Sequence, residues 1–118
     1  MSIQEAIMKY MNKLPGSFRP NKSGGLETDI QFNFTDALLG SWVLEIREQR
    51  CNVRRGTVAS PSITVDVDPR VFMDIQEGRI MANMAVSRAR MRLSGDLNLA
   101  FRVGGFFELP DGYKLSLL

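Results

Sequence analysis

The chain has 118 residues, enough for one domain that buries roughly two thirds of its unfolded surface and needs no metal or disulfide staple. Hydrophobic residues make up 44% and charged residues 24%, and 15 Lys and Arg against 13 Asp and Glu leave a net charge of +2, too small to argue for nucleic acid. With no histidine and Cys51 as the single cysteine, His-based triads, His metal sites, zinc sites built from several thiolates and internal disulfides are all excluded.

Ile3, Ile7, Met8, Met11 and Leu14 fall at helical spacing and predict an amphipathic helix that ends before Pro15-Gly16. Pro15 to Gly25 is rich in Pro, Gly, Ser and Lys and reads as a loop. From Leu26 to Phe34 the chain alternates: Leu26, Thr28, Ile30, Phe32 and Phe34 face one way, and Glu27, Asp29, Gln31 and Asn33 the other. This is a half-buried strand with one wet face. Trp42, Leu44 and Ile46 face the core on a second strand, whose polar face Val43 interrupts. Cys51 to Arg55 reads as a short third strand, and Ile63, Val65 and Val67 alternate with Thr64 and Asp66 in a fourth.

Asp68-Pro69 then opens a helix that Gly78 closes, with Phe72 and Ile75 on one face. Ile80, Met81 and Met84 suggest a further short helix. Arg88 to Ser94 alternates again, with Ala89, Met91 and Leu93 opposite Arg88, Arg90 and Arg92. Asp96 can cap a last helix from Leu97 to about Phe107, with Leu97, Ala100, Phe101 and Phe107 inward. Leu109 to Leu118 is a tail with several apolar residues and no assigned structure. The expected architecture is one α+β domain over residues 1–118, with helices on one face of a mostly antiparallel sheet.

The stretch from Met1 to Leu14 carries Glu5, Lys9 and Lys13 inside its apolar pattern, unlike a signal peptide. No apolar run approaches the roughly 20 residues of a membrane span, and the terminal Ser116-Leu117-Leu118 is not the Ser-Lys-Leu peroxisomal address. A cytoplasmic location is expected. Asp66, Asp68 and Asp74 could pair, but a strand end, a helix cap and a solvated helix face explain them more simply. No enzyme activity, metal or cofactor is expected. Cys51, with Arg50 and Arg54 nearby, could be a reactive thiol; a small buried side chain is the simpler reading.

The arginines at 88, 90 and 92 fit a solvated strand face. If they bind anything, a membrane surface suits them better than nucleic acid, because the aromatics lie at inward positions and not between the arginines. Met73, Met81, Met84 and Met91 cluster with Phe72, Phe101, Phe106 and Phe107 in one half of the chain. Methionine fills irregular space and adapts to different partners, so the pattern fits a filled core and a lined cavity alike.

The run Ala85 to Asp96 reads Ala-Val-Ser-Arg-Ala-Arg-Met-Arg-Leu-Ser-Gly-Asp. It resembles sterol carrier protein 2 domains, whose pattern is a small helix, then Gly-Lys-Leu-Lys-Ile-Lys-Gly-Asp, then an apolar helix. Arg90, Arg92, Gly95 and Asp96 match in character, Met91 and Leu93 take the apolar places, and Leu97-Asn98-Leu99-Ala100 fits the helix that follows. Ile63 to Gly78 and the strand begun by Trp42 are similar too, so the resemblance spans roughly Leu26 to Phe107. Ala89 stands where the family often has Gly, and Ser62 where it often has Asp.

The resemblance implies a twisted sheet of about five strands with helices enclosing an apolar tunnel, and non-covalent binding or transfer of a lipid: a fatty acid, acyl-CoA, sterol or other isoprenoid. Phe32, Trp42, Leu44, Val65 and Met91 would form the sheet wall of that tunnel. Phe72, Ile75, Ile80, Met84, Leu97 and Phe101 would form the helical wall. An accessory domain that presents an apolar substrate to a partner enzyme, as in quinone or lipid biosynthesis, is the alternative.

Overall fold

The structure, a computed structural model, describes every residue from Met1 to Leu118. The first helix, α1 (Ile3–Ser17), opens on a reciprocal cap in which the Glu5 N–H donates to Ser2 Oγ at 3.1 Å and the Ser2 N–H to Glu5 Oε1 at 3.2 Å. Ile7, Tyr10, Met11 and Leu14, three and four residues apart, form its buried stripe. The helix overruns the expected stop at Pro15, because a proline in the last turn removes only one hydrogen bond. The expected loop that follows contains a single helical turn, α2 (Pro20–Ser23), begun by Pro20 and ended by Gly24.

The alternating segments form five strands: β1 (Thr28–Phe34), β2 (Ser41–Arg47), β3 (Arg50–Arg55), β4 (Ile63–Val67) and β5 (Met91–Gly95). They lie in the order β3-β2-β1-β4-β5. Three of the neighbouring pairs are antiparallel and β1 with β4 is parallel, so the sheet is mostly antiparallel, as expected. Phe32 on the central strand sits between Trp42 on β2 and Val65 on β4, which makes the apolar face continuous.

A parallel pair needs a crossover. Residues 56–62 provide it as a strap across the polar face, held by the Gln31 side chain. Gln31 Nε2 donates to the Gly56 carbonyl at 3.0 Å and Gln31 Oε1 accepts the Val58 N–H at 3.0 Å. The Ser62 N–H donates to the Asp29 carbonyl at 2.8 Å. Gln31 and its register partner Val43 are therefore buried on a face whose other residues are mostly half exposed. At the far end Gly95 has φ +106°, and a Cβ there would lie 2.2 Å from the Ser62 carbonyl oxygen, so only glycine fits.

Helices cover the apolar face. In α3 (Pro69–Gln76), Asp68 Oδ1 accepts the Arg70 N–H at 2.8 Å and Pro69 takes the first helical position. Phe72 of α3 packs edge-to-face against Tyr10 at 5.4 Å, Phe32 at 5.8 Å and Phe34 at 5.3 Å, joining α1, α3 and β1. After α4 (Ala82–Ser87), α5 (Leu97–Arg102) starts at Asp96, whose Oδ1 accepts the Leu99 N–H at 3.0 Å. α5 is shorter than expected: a tighter turn, Val103–Phe106, replaces its second half, where Gly104-Gly105 weakens an α-helix.

Candidate functional site

The tail is the part of the chain with no assigned structure in the sequence and the most specific seating in the fold. Residues 113–118 have no regular secondary structure and pack beside α3 and the turn after α5. Leu115 and Leu117 are 2% and 0% exposed. Gln76, at the end of α3, is fully buried and spends its side-chain amide on the tail backbone. Its Oε1 accepts the Ser116 N–H at 2.6 Å, and its Nε2 donates to the Ser116 carbonyl at 3.0 Å. The Gln76 carbonyl also accepts the Lys114 N–H at 2.9 Å, and the Tyr10 hydroxyl donates to the Lys114 carbonyl. A buried amide needs both partners, and the two backbone groups of Ser116 supply them. On the other side a Cβ at Gly104 would lie 2.4 Å from the Leu115 carbonyl oxygen, so glycine lets the tail approach.

Two clefts flank this tail. One, of about 340 Å³, lies against Ala100, Phe101, Gly104 and Gly105. The other, of about 230 Å³, lies against Ile75, Ile80, Met81 and Ala82. Lys114, Ser116 and Leu118 line both. A third, of about 560 Å³, opens beside β5 between Asp66, Asp68, Arg90 and Arg92, over a floor that includes Val67 and Met91. All three reach the surface. Between sheet and helices the side chains fill the space, so the implied tunnel is closed in this structure, with Leu115 and Leu117 in the packed interior.

The residues expected to line that tunnel divide into three groups. Phe32, Trp42, Leu44, Val65, Phe72, Ile75 and Met91 are buried in one core, and Ile80 is half-buried against it. Met84, Leu97 and Phe101 point outward, at 39%, 51% and 68% exposure, which corrects the expected inward face. For Leu97 and Phe101 the cause is a shift of face along α5. Leu99, Ala100 and Val103 bury the inner stripe, and Leu97 and Phe101 make a second apolar stripe outside. The sequence reading also missed Leu115, Leu117 and Gln76. Their signal is the alternation of Tyr113, Leu115 and Leu117 with Lys114 and Ser116, a strand-like period at the end of the chain.

The arginine stripe is corrected as well. α4 persists to Ser87 and Arg88 ends it, Ala89 takes φ +58°, and β5 begins only at Met91. Arg92 alone of the three lies on a strand. Ala89 occupies the left-handed region that favours glycine, at the position where the resemblance places one. Ala89→Gly is therefore expected to stabilise the fold by about 0.5–1 kcal/mol, the strain relieved outweighing the added freedom of the unfolded chain. A urea midpoint at or below that of the parent chain would refute this.

Cys51 is buried on the inner side of β3, and burial pushes its thiol up to about 12. Alkylation of the folded chain at mildly alkaline pH is expected to be about a hundredfold slower than in urea, since the thiolate is the nucleophile. Equal rates would restore the reactive-thiol reading. No group of His, Cys, Asp and Glu is placed to hold a metal ion, and no helix is long and apolar enough to cross a membrane.

Known sequences and solved structures resemble this chain. Peroxisomal multifunctional enzyme A of Dictyostelium discoideum is 28% identical over 76 residues, which are 64% of this chain and 17% of that protein. The stereoselective inverting sec-alkylsulfatase Pisa1 from Pseudomonas sp. superposes with a TM-score of 0.75 at 17% identity, over 87% of this chain and 16% of that one. The chain thus spans about one sixth of the length of each of these two. The palmitated SCP2L2 of Aedes aegypti superposes with a TM-score of 0.65 at 27% identity, over 87% of this chain and 91% of its own. The sequence pattern of one family covers residues 15–108, from the last turn of α1 through all five strands to the residue after Phe107, and on that match the chain belongs to the SCP-2 sterol transfer family.

Proposed function

We propose that the protein binds a lipid non-covalently, without chemistry of its own, and that the lipid chain takes the place held here by Leu115 and Leu117. The observation that carries this is the tail: a segment with two buried leucines, no regular secondary structure and an open cleft on each side. Membership of a sterol transfer family and likeness to the palmitated Aedes protein support a lipid with a long apolar chain. Ile75, Ile80, Ala82 and Ala100 would then line the opened seat, with Phe72, Val65 and Met91 deeper. Phe32, Trp42 and Leu44 would form the permanent wall.

Magnitudes set a chain-length threshold. Exposing two leucine side chains costs about 3–6 kcal/mol, and each backbone bond lost to Gln76 adds about 1 kcal/mol. A buried methylene returns about 0.8 kcal/mol, so roughly eight to ten are needed before insertion gains. Palmitate should displace the tail and octanoate should not.

Native mass spectrometry of the protein as isolated from cells, with organic extraction of any adduct, is expected to show a bound lipid or uptake of added palmitate. A clean mass that takes up neither palmitate nor a sterol would make the interior a permanent core and end this reading.

A second reading rests on the two longer relatives, in which the matched region is a small part of an enzyme. In it, the domain holds an apolar substrate for a partner enzyme. Affinity capture should then recover the same enzyme each time, and lose it when Arg88, Arg90 and Arg92 become Glu. Capture without a recurring enzyme would count against it.

A further inference from the structure

We propose that the face made by α4, α5 and the end of the tail docks on an anionic bilayer surface. This rests on the lipid-binding reading and says where the lipid would enter. Six large hydrophobic residues are exposed in the whole chain, and four of them, Met81, Met84, Leu97 and Phe101, lie on α4, its cap and α5. α5 is apolar on both sides: Leu99 and Ala100 face the core while Leu97 and Phe101 face solvent. A helix packed in a globular protein needs only one apolar stripe, so the outer one awaits a second apolar environment.

Charge identifies that environment. Residues 78–107 carry Arg79, Arg88, Arg90, Arg92 and Arg102 against the single acid Asp96. The remaining residues carry ten basic and twelve acidic groups, so the positive charge of the chain is gathered here. Arg79 is held by Asp74 at 3.9 Å and Glu77 at 3.5 Å, and Asp96 is committed to capping α5. Arg92 stands opposite Asp66 on the polar face of the sheet and Arg90 shares a cleft with Asp66 and Asp68, whereas Arg88 and Arg102 have no carboxylate within ion-pair distance. Apolar side chains on α4 and α5, with the unpaired cations Arg88 and Arg102 at the ends of those two helices, match a bilayer of anionic lipid, which accepts the first below the headgroups and the second at them.

The position also matters. Phe101 and Met81 line the two clefts on either side of the tail, and Leu118 lines both. Docked on this face, the protein would open its tail toward the bilayer, and a lipid chain could pass between the two without crossing water.

The test is flotation with vesicles of phosphatidylcholine alone and of phosphatidylcholine with about one part phosphatidylserine in three. The parent chain should float with the anionic vesicles, less as salt rises, and weakly with the neutral ones. Each neutralised arginine should lower partition about fivefold, so Arg88→Gln with Arg102→Gln should cost about twenty-five-fold, while leaving palmitate uptake from solution unchanged. Leu97→Ser with Phe101→Ser should cost about tenfold or more. Lys9→Gln with Lys13→Gln, on α1, should change nothing.

Equal flotation of all variants, or loss carried by the α1 variant alone, would overturn the proposal. So would a concentration-dependent dimer abolished by Phe101→Ser, without vesicle binding, which would give the face to a second copy of the chain. Flotation is read without any lipid uptake, so its failure and that of the carrier reading are scored separately.

Discussion

Trimming the two anchors of the tail, Leu115→Ala together with Leu117→Ala, is expected to tighten the binding of palmitate by about a hundredfold or more, because the lipid chain competes with these side chains for one seat. Both side chains are almost fully buried. A buried leucine cut to alanine costs about 2–5 kcal/mol, and about 1.4 kcal/mol is a factor of ten in an equilibrium. The tail lies outside regular secondary structure, so this cost falls mainly on the closed form and shifts the tail toward open. The strands and α3 keep their own packing, and the doubly substituted chain should still unfold cooperatively. Gly104→Ala should act in the same direction, by pushing a methyl group against the Leu115 carbonyl. Titration with a fluorescent fatty acid measures the affinity directly. An affinity equal to that of the parent chain would show that the tail does not occupy the lipid's seat.

Phe72→Ala is expected to remove about 4 kcal/mol of stability, a large share of the 5–15 kcal/mol typical of a domain. Phe72 is fully buried and meets three aromatic rings, one from α1 and two from β1. Truncation leaves a cavity where α1, α3 and β1 meet. Phe101→Ala, at a residue 68% exposed, should stay within about 0.5 kcal/mol of the parent chain. Urea unfolding of the two variants therefore tests which phenylalanine faces the core. Similar losses for both would mean that α5 turns its outer stripe inward in solution.

That pair of residues shows where the sequence was legible. β1, β2 and β4 were readable because an alternation of period two assigns each residue to one face, and a one-residue slip would put Phe32 or Val65 in water. The helix starts at Asp68-Pro69 and Asp96 were readable because a capping carboxylate acts on the next three residues. α5 was not readable in detail. Its six residues include Leu97, Leu99, Ala100 and Phe101, so two overlapping stripes fit a helical period, and only packing against β4 chooses between them. The strand over Arg88–Ser94 began too early because alternation continues through a left-handed turn at Ala89 that sequence periodicity does not register. Gln76 was missed for another reason: its partner is the backbone of residues forty positions away, which carries no side-chain signature.

The two borders of the sheet are β3, which carries Arg50, Arg54 and Arg55, and β5, which is five residues long, carries Arg92 and ends at Gly95. A border strand offers unpaired backbone groups to any similar strand that arrives. Here two molecules meeting border to border would bring guanidinium against guanidinium, and the shorter border ends where Gly95 folds against Ser62. The consequence is resistance to fibril growth by strand addition, a protection built into the ends of the sheet that does not depend on whether the apolar interior is filled by the chain itself or by a guest.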